Sequence, residues 1–217
     1  MIELNEGQAY LALPPGGSGA GVLLLHAWWG LTDFFVALAD RLASEGFVVL
    51  APDLFDGATA ATIEEAEALV SNAQSDQERI ARKVEAANDF LKAHPAVTST
   101  DLGVIGFSFG AAWGLWLAQH VPDAIGAVVV FYGTYGGGDL SGMRAAFLGH
   151  FAETDEHEPR EEVEQLDKML TEMNLEATFY VYSGTGHWFF EADRSAYHAE
   201  SAQLAWEWTV KFLNEKL

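Results

Sequence analysis

Short unbroken apolar runs alternate along this chain with longer segments in which apolar residues return at helical spacing. After the turn Pro14-Pro15-Gly16-Gly17-Ser18-Gly19, the run Gly21-Val22-Leu23-Leu24-Leu25 lacks any polar alternation, as a strand buried on both faces would. Asp33 then precedes Phe34, Leu38 and Leu42, which share one face of a predicted helix, and Gly46 supplies its stop. Phe47-Val48-Val49-Leu50 predicts the next strand, closed by Pro52. Residues 62–93 are rich in alanine and charge, and their spacing predicts two helices broken near Ser75-Asp76, with Pro95 ending the second. Further strands are expected over 102–106, 127–131, 144–148 and 178–182, and helices up to Gln119, over 159–173 and over 196–213. Strictly alternating strands and helices predict an α/β fold: a mostly parallel central sheet, helices on both faces, and chemistry on loops at the carboxyl ends of the strands. No repeat or charged linker divides the 217 residues, so a single domain over 1–217 is expected.

Composition narrows the partners. The chain carries 32 acidic against 11 basic side chains, a formal charge of −21. Such a field repels phosphate backbones and anionic membrane surfaces, which argues against nucleic-acid and membrane partners. Scarce lysine beside so many carboxylates is also the pattern of a surface suited to high salt. The absence of cysteine excludes disulfide frameworks, thiolate zinc sites and a cysteine nucleophile. Glu3 and Glu6 stand where a signal peptide would carry positive charge, and no apolar run approaches a membrane span, so the expected location is cytoplasmic.

Chemistry concentrates at Gly106-Phe107-Ser108-Phe109-Gly110, a Gly-x-Ser-x-Gly pattern lying where a predicted strand gives way to a predicted helix. Glycines flank the serine because a sharp strand-to-helix turn leaves no room for side chains beside it. A serine hydroxyl is a poor nucleophile until a base, itself oriented by an acid, lies within hydrogen-bond reach. His187, in Ser183-Gly184-Thr185-Gly186-His187 after the last predicted strand, is the candidate base. His94 and His120 fall at helix ends and His198 within a helix, where a cap or the helix dipole explains them. The acid should follow the preceding strand. Several carboxylates compete in Glu153-Thr154-Asp155-Glu156-His157-Glu158, and Asp155 is favoured by its place before the helix opening near Pro159. The order Ser, Asp, His is that of α/β-hydrolases.

Acyl transfer also needs oxyanion donors. Phe109 N–H supplies one by position, and Trp28 N–H, on the loop leaving the early strand, is preferred to Ala27 N–H for the other. Aromatics crowd these positions: most of Phe107, Phe109, Trp113, Phe189 and Phe190 are expected to be core, with Trp28, Trp29 and Trp188 as candidate pocket walls. Gly136-Gly137-Gly138-Asp139 lacks the lysine and helix of a phosphate cradle and reads as a loop. His150 and His157 show no zinc-type spacing, so no metal is expected, and the chemistry requires no cofactor.

With these residues in place, the sequence resembles the dienelactone hydrolase family of α/β-hydrolases over nearly its whole length. The resemblance rests on His26-Ala27-Trp28-Trp29-Gly30-Leu31, on Ala39-Asp40-Arg41-Leu42-Ala43, and on Glu45-Gly46-Phe47 through to Asp53-Leu54. It extends over the elbow, Asp155 to Pro159, and Gly184-Thr185-Gly186-His187. It implies a compact hydrolase without a large cap domain, and the roles given above for Ser108, Asp155, His187, Trp28 and Phe109. Three departures stand out: the family's characteristic enzymes have cysteine at Ser108, glutamate at Ala27 and a substrate-carboxylate-binding arginine at Glu191. A serine nucleophile has no need of the glutamate, and Glu191 near the pocket would repel a substrate carboxylate. The expected activity is therefore serine hydrolysis of a small-molecule carboxylic ester or lactone through an acyl-enzyme. The same triad could serve a thioesterase or cofactor-free perhydrolase, and the reading from another class is a non-catalytic binding protein on a hydrolase fold.

Overall fold

The computed structural model describes residues 1–135 and 140–217, so the glycine-rich stretch 136–139 lies outside the described residues. The chain forms strands β1 (Ile2–Leu4), β2 (Gly7–Ala12), β3 (Gly21–Leu25), β4 (Val48–Pro52), β5 (Leu102–Phe107), β6 (Ile125–Phe131), β7 (Ala146–Ala152) and β8 (Ala177–Tyr182). The helices are α1 (Asp33–Ser44), α2 (Ile63–Ser75), α3 (Gln77–Ala93), α4 (Phe109–His120), α5 (Arg160–Glu172) and α6 (Ala199–Lys216). All strands join one sheet in the order β1-β2-β4-β3-β5-β6-β7-β8. The β2–β4 and β1–β2 pairings are antiparallel and the others are parallel.

The unbroken apolar runs follow from burial on both faces. In β3, Val22 and Leu24 join the core shared with α1 and α6, while Leu23 and Leu25 point into the core beneath α3, α4 and α5. Successive side chains of β4 and β5 divide in the same way, so every position of these strands is apolar or glycine up to the closing proline of β4. The predicted break near Ser75-Asp76 is present: Asp76 closes α2 and caps α3, its carboxylate accepting from Arg79 N–H.

Three expectations are corrected. The N-terminal hairpin adds two strands the pattern did not announce: β1 has only three residues, and the apolar stretch 9–13 in and after β2 is only partly buried at the sheet edge. The strand expected over 144–148 runs over Ala146–Ala152. Gly149 and His150 interrupt its apolar pattern, yet His150 is fully buried with Tyr182 and Thr209 hydroxyls on its two ring nitrogens, at 2.8 and 3.0 Å. His198 does not lie inside the last helix but caps it, its Nδ1 accepting from Ser201 N–H. No helix among the described residues is long and apolar enough to cross a membrane.

The topology positions the site. From β3 the chain moves outward to β4, then crosses back to lay β5 on the other side of β3. The loops leaving β3 and β5 therefore diverge from neighbouring strand ends, where an open sheet forms a crevice. The loops after β7 and β8 close the same end.

Candidate active site

Ser108 stands between β5 and α4 with φ +48° and ψ −110°, a conformation that a non-glycine residue adopts only when its surroundings force it. Its N–H donates to Phe131 O at 2.9 Å, and its C=O accepts from Ala111 N–H at 2.9 Å. The neighbouring glycines are required sterically. A Cβ on Gly106 would lie 2.6 Å from Ala111 Cα, and one on Gly110 would lie 2.6 Å from the carbonyl oxygen of His26. The turn thus packs tightly on α4 and on the β3 loop, holding the serine out at the strand end.

Three loops bring the partners together. His187 Nε2 lies 3.0 Å from Ser108 Oγ, and His187 Nδ1 lies 2.7 Å from Asp155 Oδ2. The other carboxylate oxygen of Asp155 accepts from His157 N–H and Glu158 N–H, both at 2.9 Å, which fixes the carboxyl plane. Glu158 in turn accepts from the Thr134 hydroxyl at 2.7 Å and from Thr134 N–H at 3.0 Å, tying the acid loop to the loop after β6. Of the competing carboxylates, Glu153 turns to Ser183 and Gly184 N–H instead. Burial pushes the His187 imidazole below its ordinary value, while the hydrogen bond and charge of Asp155 hold it up. The ring is consequently neutral near pH 7 and free to accept a proton at Nε2.

The early loop is held by a residue whose role the sequence did not suggest. His26 is fully buried; its Nε2 accepts from Leu54 N–H at 3.1 Å, so the proton is on Nδ1, which donates to Ala27 C=O at 2.7 Å. Burial lowers its pKa to about 4, and the ring stays neutral. Carbonyl and N–H point in opposite directions across a trans peptide, so fixing Ala27 C=O fixes the direction of Trp28 N–H. Gly30 N–H also donates to Ala27 C=O, at 3.2 Å. Among the described residues, neither Trp28 N–H nor Phe109 N–H is paired with a backbone acceptor. Phe109 N–H opens α4, where first-turn donors have no intrahelical partner.

Aromatic rings surround the triad. Trp28 stacks on Trp188 at 5.7 Å, Trp29 meets both, and His157 packs against Trp28, Trp188 and His187. Trp28 and Trp188 are half-buried, whereas Trp29 is almost covered, with the Arg194 guanidinium 3.8 Å over its ring. Tyr132 stands in no motif that announces it, and His157 entered the sequence analysis only as a metal candidate, not as a ring beside the triad. Tyr132 is fully buried with φ +38°, its ring 4.8 Å from that of His187 and its hydroxyl donating to Glu191 Oε1 at 2.7 Å.

That contact corrects the expectation for Glu191. The residue has no exposed surface, lies behind Tyr132, and offers nothing for a substrate carboxylate to meet. Burial raises its pKa to about 8, against the opposing pull of Tyr132 and of Arg194, whose Nε is 3.9 Å away and whose guanidinium also faces Asp193 at 3.4 Å. Burial prevails over an ion pair that long. Among the described residues, no cluster of His, Asp and Glu is arranged to hold a metal ion.

Comparison with known proteins gives consistent matches. The model of the dienelactone hydrolase family matches residues 8–217. "Protein usf" of Aquifex pyrophilus is 32% identical over 228 residues, covering 100% of this chain and 98% of that protein. A protein of Aquifex aeolicus named "Putative carboxymethylenebutenolidase" is 28% identical over 228 residues, with 100% and 98% covered. Among solved structures, a dienelactone hydrolase-like promiscuous phosphotriesterase from metagenomic libraries shares the fold, with a TM-score of 0.83 at 22% identity over 96% of this chain and 98% of that one.

Proposed function

The chain belongs to the dienelactone hydrolase family of α/β-hydrolases, and on that premise we propose that it hydrolyses small-molecule carboxylic esters or lactones with Ser108 as nucleophile. The observation that carries this reading is the continuous link Asp155–His187–Ser108, at 2.7 and 3.0 Å, ending on a serine held at positive φ.

In this mechanism Ser108 Oγ attacks the ester carbonyl carbon as its proton passes to His187 Nε2. Asp155 keeps the imidazole turned and stabilises the imidazolium. The negative oxygen of the tetrahedral intermediate faces Trp28 N–H and Phe109 N–H, donors fixed in advance by the β3 loop and the start of α4. Collapse breaks the bond to the leaving oxygen, which takes the proton from His187 and departs as the alcohol; in a lactone it stays attached to the acyl chain. Water, deprotonated by the same His187, then attacks the acyl-Ser108 ester, and collapse releases the acid and restores the serine. Trp28 and Trp188 form one wall of the substrate pocket, with Trp29 supporting them from behind.

Steady-state hydrolysis of p-nitrophenyl acetate by the wild type and by Ser108→Ala tests the assignment. Removal of the nucleophile is expected to lower kcat about a thousandfold or more. A variant that hydrolyses the ester at the wild-type rate would remove Ser108 from the chemistry.

A further inference from the structure

Helix α4 carries a row of aromatic rings that the triad does not use. Phe109, Trp113 and Trp116 recur at i, i+4 and i+7, which places them on one face. Phe109 and Trp113 lie 6.4 Å apart, Trp113 and Trp116 5.3 Å, and Trp116 stacks on His120 at 4.8 Å. The residues of α4 that face the sheet, including Gly110, Ala111, Leu115 and Ala118, are buried, but Phe109, Trp113 and Trp116 are only half covered. They form one wall of a cleft of about 570 Å³, whose other side mixes Ala73 of α2, Ala81 of α3 and Tyr135 with the uncharged polar side chains of Gln74, Gln77 and Thr134. That volume falls in the range of small-molecule sites. Glu78 is the one charged side chain in its lining among the described residues.

The near end of the cleft is Phe109, the residue after the nucleophile, and its N–H is a proposed oxyanion donor. From there to Trp116 the helix rises about 10 Å, the length of a medium alkyl chain or a two-ring aryl group. An aromatic wall faced by neutral polar groups and a single carboxylate favours an uncharged guest over an anionic one.

We propose that this cleft is the subsite for the apolar part of the substrate, and that the substrates are esters carrying an uncharged alkyl or aryl group about 10 Å long. The inference rests on the ester-hydrolase reading above and adds the substrate class. Each methylene buried against the aromatic wall should raise kcat/KM about three- to fourfold until the cleft is full.

The test is a series of p-nitrophenyl esters from acetate to decanoate. Two further esters separate the sources of the gain: the 4-phenylbutyrate, to compare aryl with alkyl, and the half-ester of suberic acid, which places a carboxylate at the chain end. The expected result is a rise to about octanoate and then a plateau, with the suberate half-ester at least tenfold below octanoate. Trp113→Ala and Trp116→Ala should lower the octanoate-to-acetate ratio at least tenfold. Ala81→Trp, which fills the cleft from the opposite wall and leaves the aromatic row intact, should do the same even if a tryptophan variant fails to fold. A chain-length series that is flat in the wild type, or an octanoate-to-acetate ratio unchanged by Ala81→Trp, would overturn the subsite. Acetate hydrolysis that does not depend on Ser108 would instead overturn the parent reading.

Discussion

Asp155 does two jobs with two oxygens, and the division makes a sharp test. Oδ1 accepts from two backbone N–H groups, while Oδ2 faces His187 Nδ1. In Asp155→Asn the backbone donors would retain the amide oxygen, turning the NH₂ toward Nδ1. That nitrogen would then have to accept, placing the ring proton on Nε2, where none can be received from Ser108. A loss of about ten-thousandfold in kcat is expected, as for the equivalent change in other triads. The pH profile adds a signed check. If His187 is the base, its neutral form is the active one, so activity should fall as pH drops through its pKa, and burial puts that limb below the ordinary 6.5 in the wild type. Removing the charge that holds the pKa up should move the limb of any residual activity to still lower pH. A limb that moves upward would contradict this electrostatic assignment, and kcat/KM measured across pH 4 to 8 reads it directly. The candidate triad was legible because each member follows a strand whose presence, though for β7 not its extent, showed in the sequence. Glu191 misled because sequence position cannot distinguish a pocket wall from a carboxyl buried behind a tyrosine.

At the scale of elements, the site depends on how the loops after β3 and β4 are fastened together. Lys83 of α3 reaches Asp53 O at 3.1 Å and Asp56 at 2.6 Å, Asp53 accepts from Phe55 N–H at 3.0 Å, and Leu54 N–H then holds His26. His26→Phe keeps a ring but removes both nitrogens, leaving Leu54 N–H without its acceptor and Ala27 C=O with only the bond from Gly30. It should destabilise the fold by about 1–3 kcal/mol, the cost of a buried polar group left unpaired. It should also lower kcat about tenfold, with little change in KM, because Trp28 N–H loses one of its two constraints and a lost oxyanion donor acts on the transition state. A KM effect with unchanged kcat would mean that the loop shapes the pocket rather than the oxyanion site. Elements buried on both faces, such as β3, β4 and β5, were readable as unbroken apolar runs. The edge hairpin was not, since β1 is three residues long and the apolar stretch of β2 runs straight into the Pro14-Pro15 turn, and the extent of β7 was obscured by a histidine whose hydrogen-bond partners come from β8 and α6.

For the molecule as a whole, the charge of −21 is too large for local pairing to balance, because 11 basic side chains face 32 acidic ones. Several of the ion pairs are exposed contacts within one helix, such as Arg160–Glu164, and contribute little to stability. Long-range repulsion therefore opposes the folded state, and salt that shortens the screening length to about 10 Å or less should relieve it. Raising sodium chloride from about 0.02 to 0.5 M is expected to raise Tm by about 5 °C. A Tm that stays level or falls would show that the acidic surface carries no net strain.

The central claim is that a sheet-end elbow, a neutral buried histidine and an oriented carboxylate together activate Ser108. It is tested most directly by exposing the folded protein to a fluorophosphonate probe and locating the adduct by peptide mass spectrometry, with His187→Ala treated in parallel. The account predicts one adduct, on the peptide containing Ser108, formed rapidly by the wild type and at least a hundredfold more slowly by the variant. Absence of any adduct, a label on another serine, or equal labelling with and without the imidazole would contradict it.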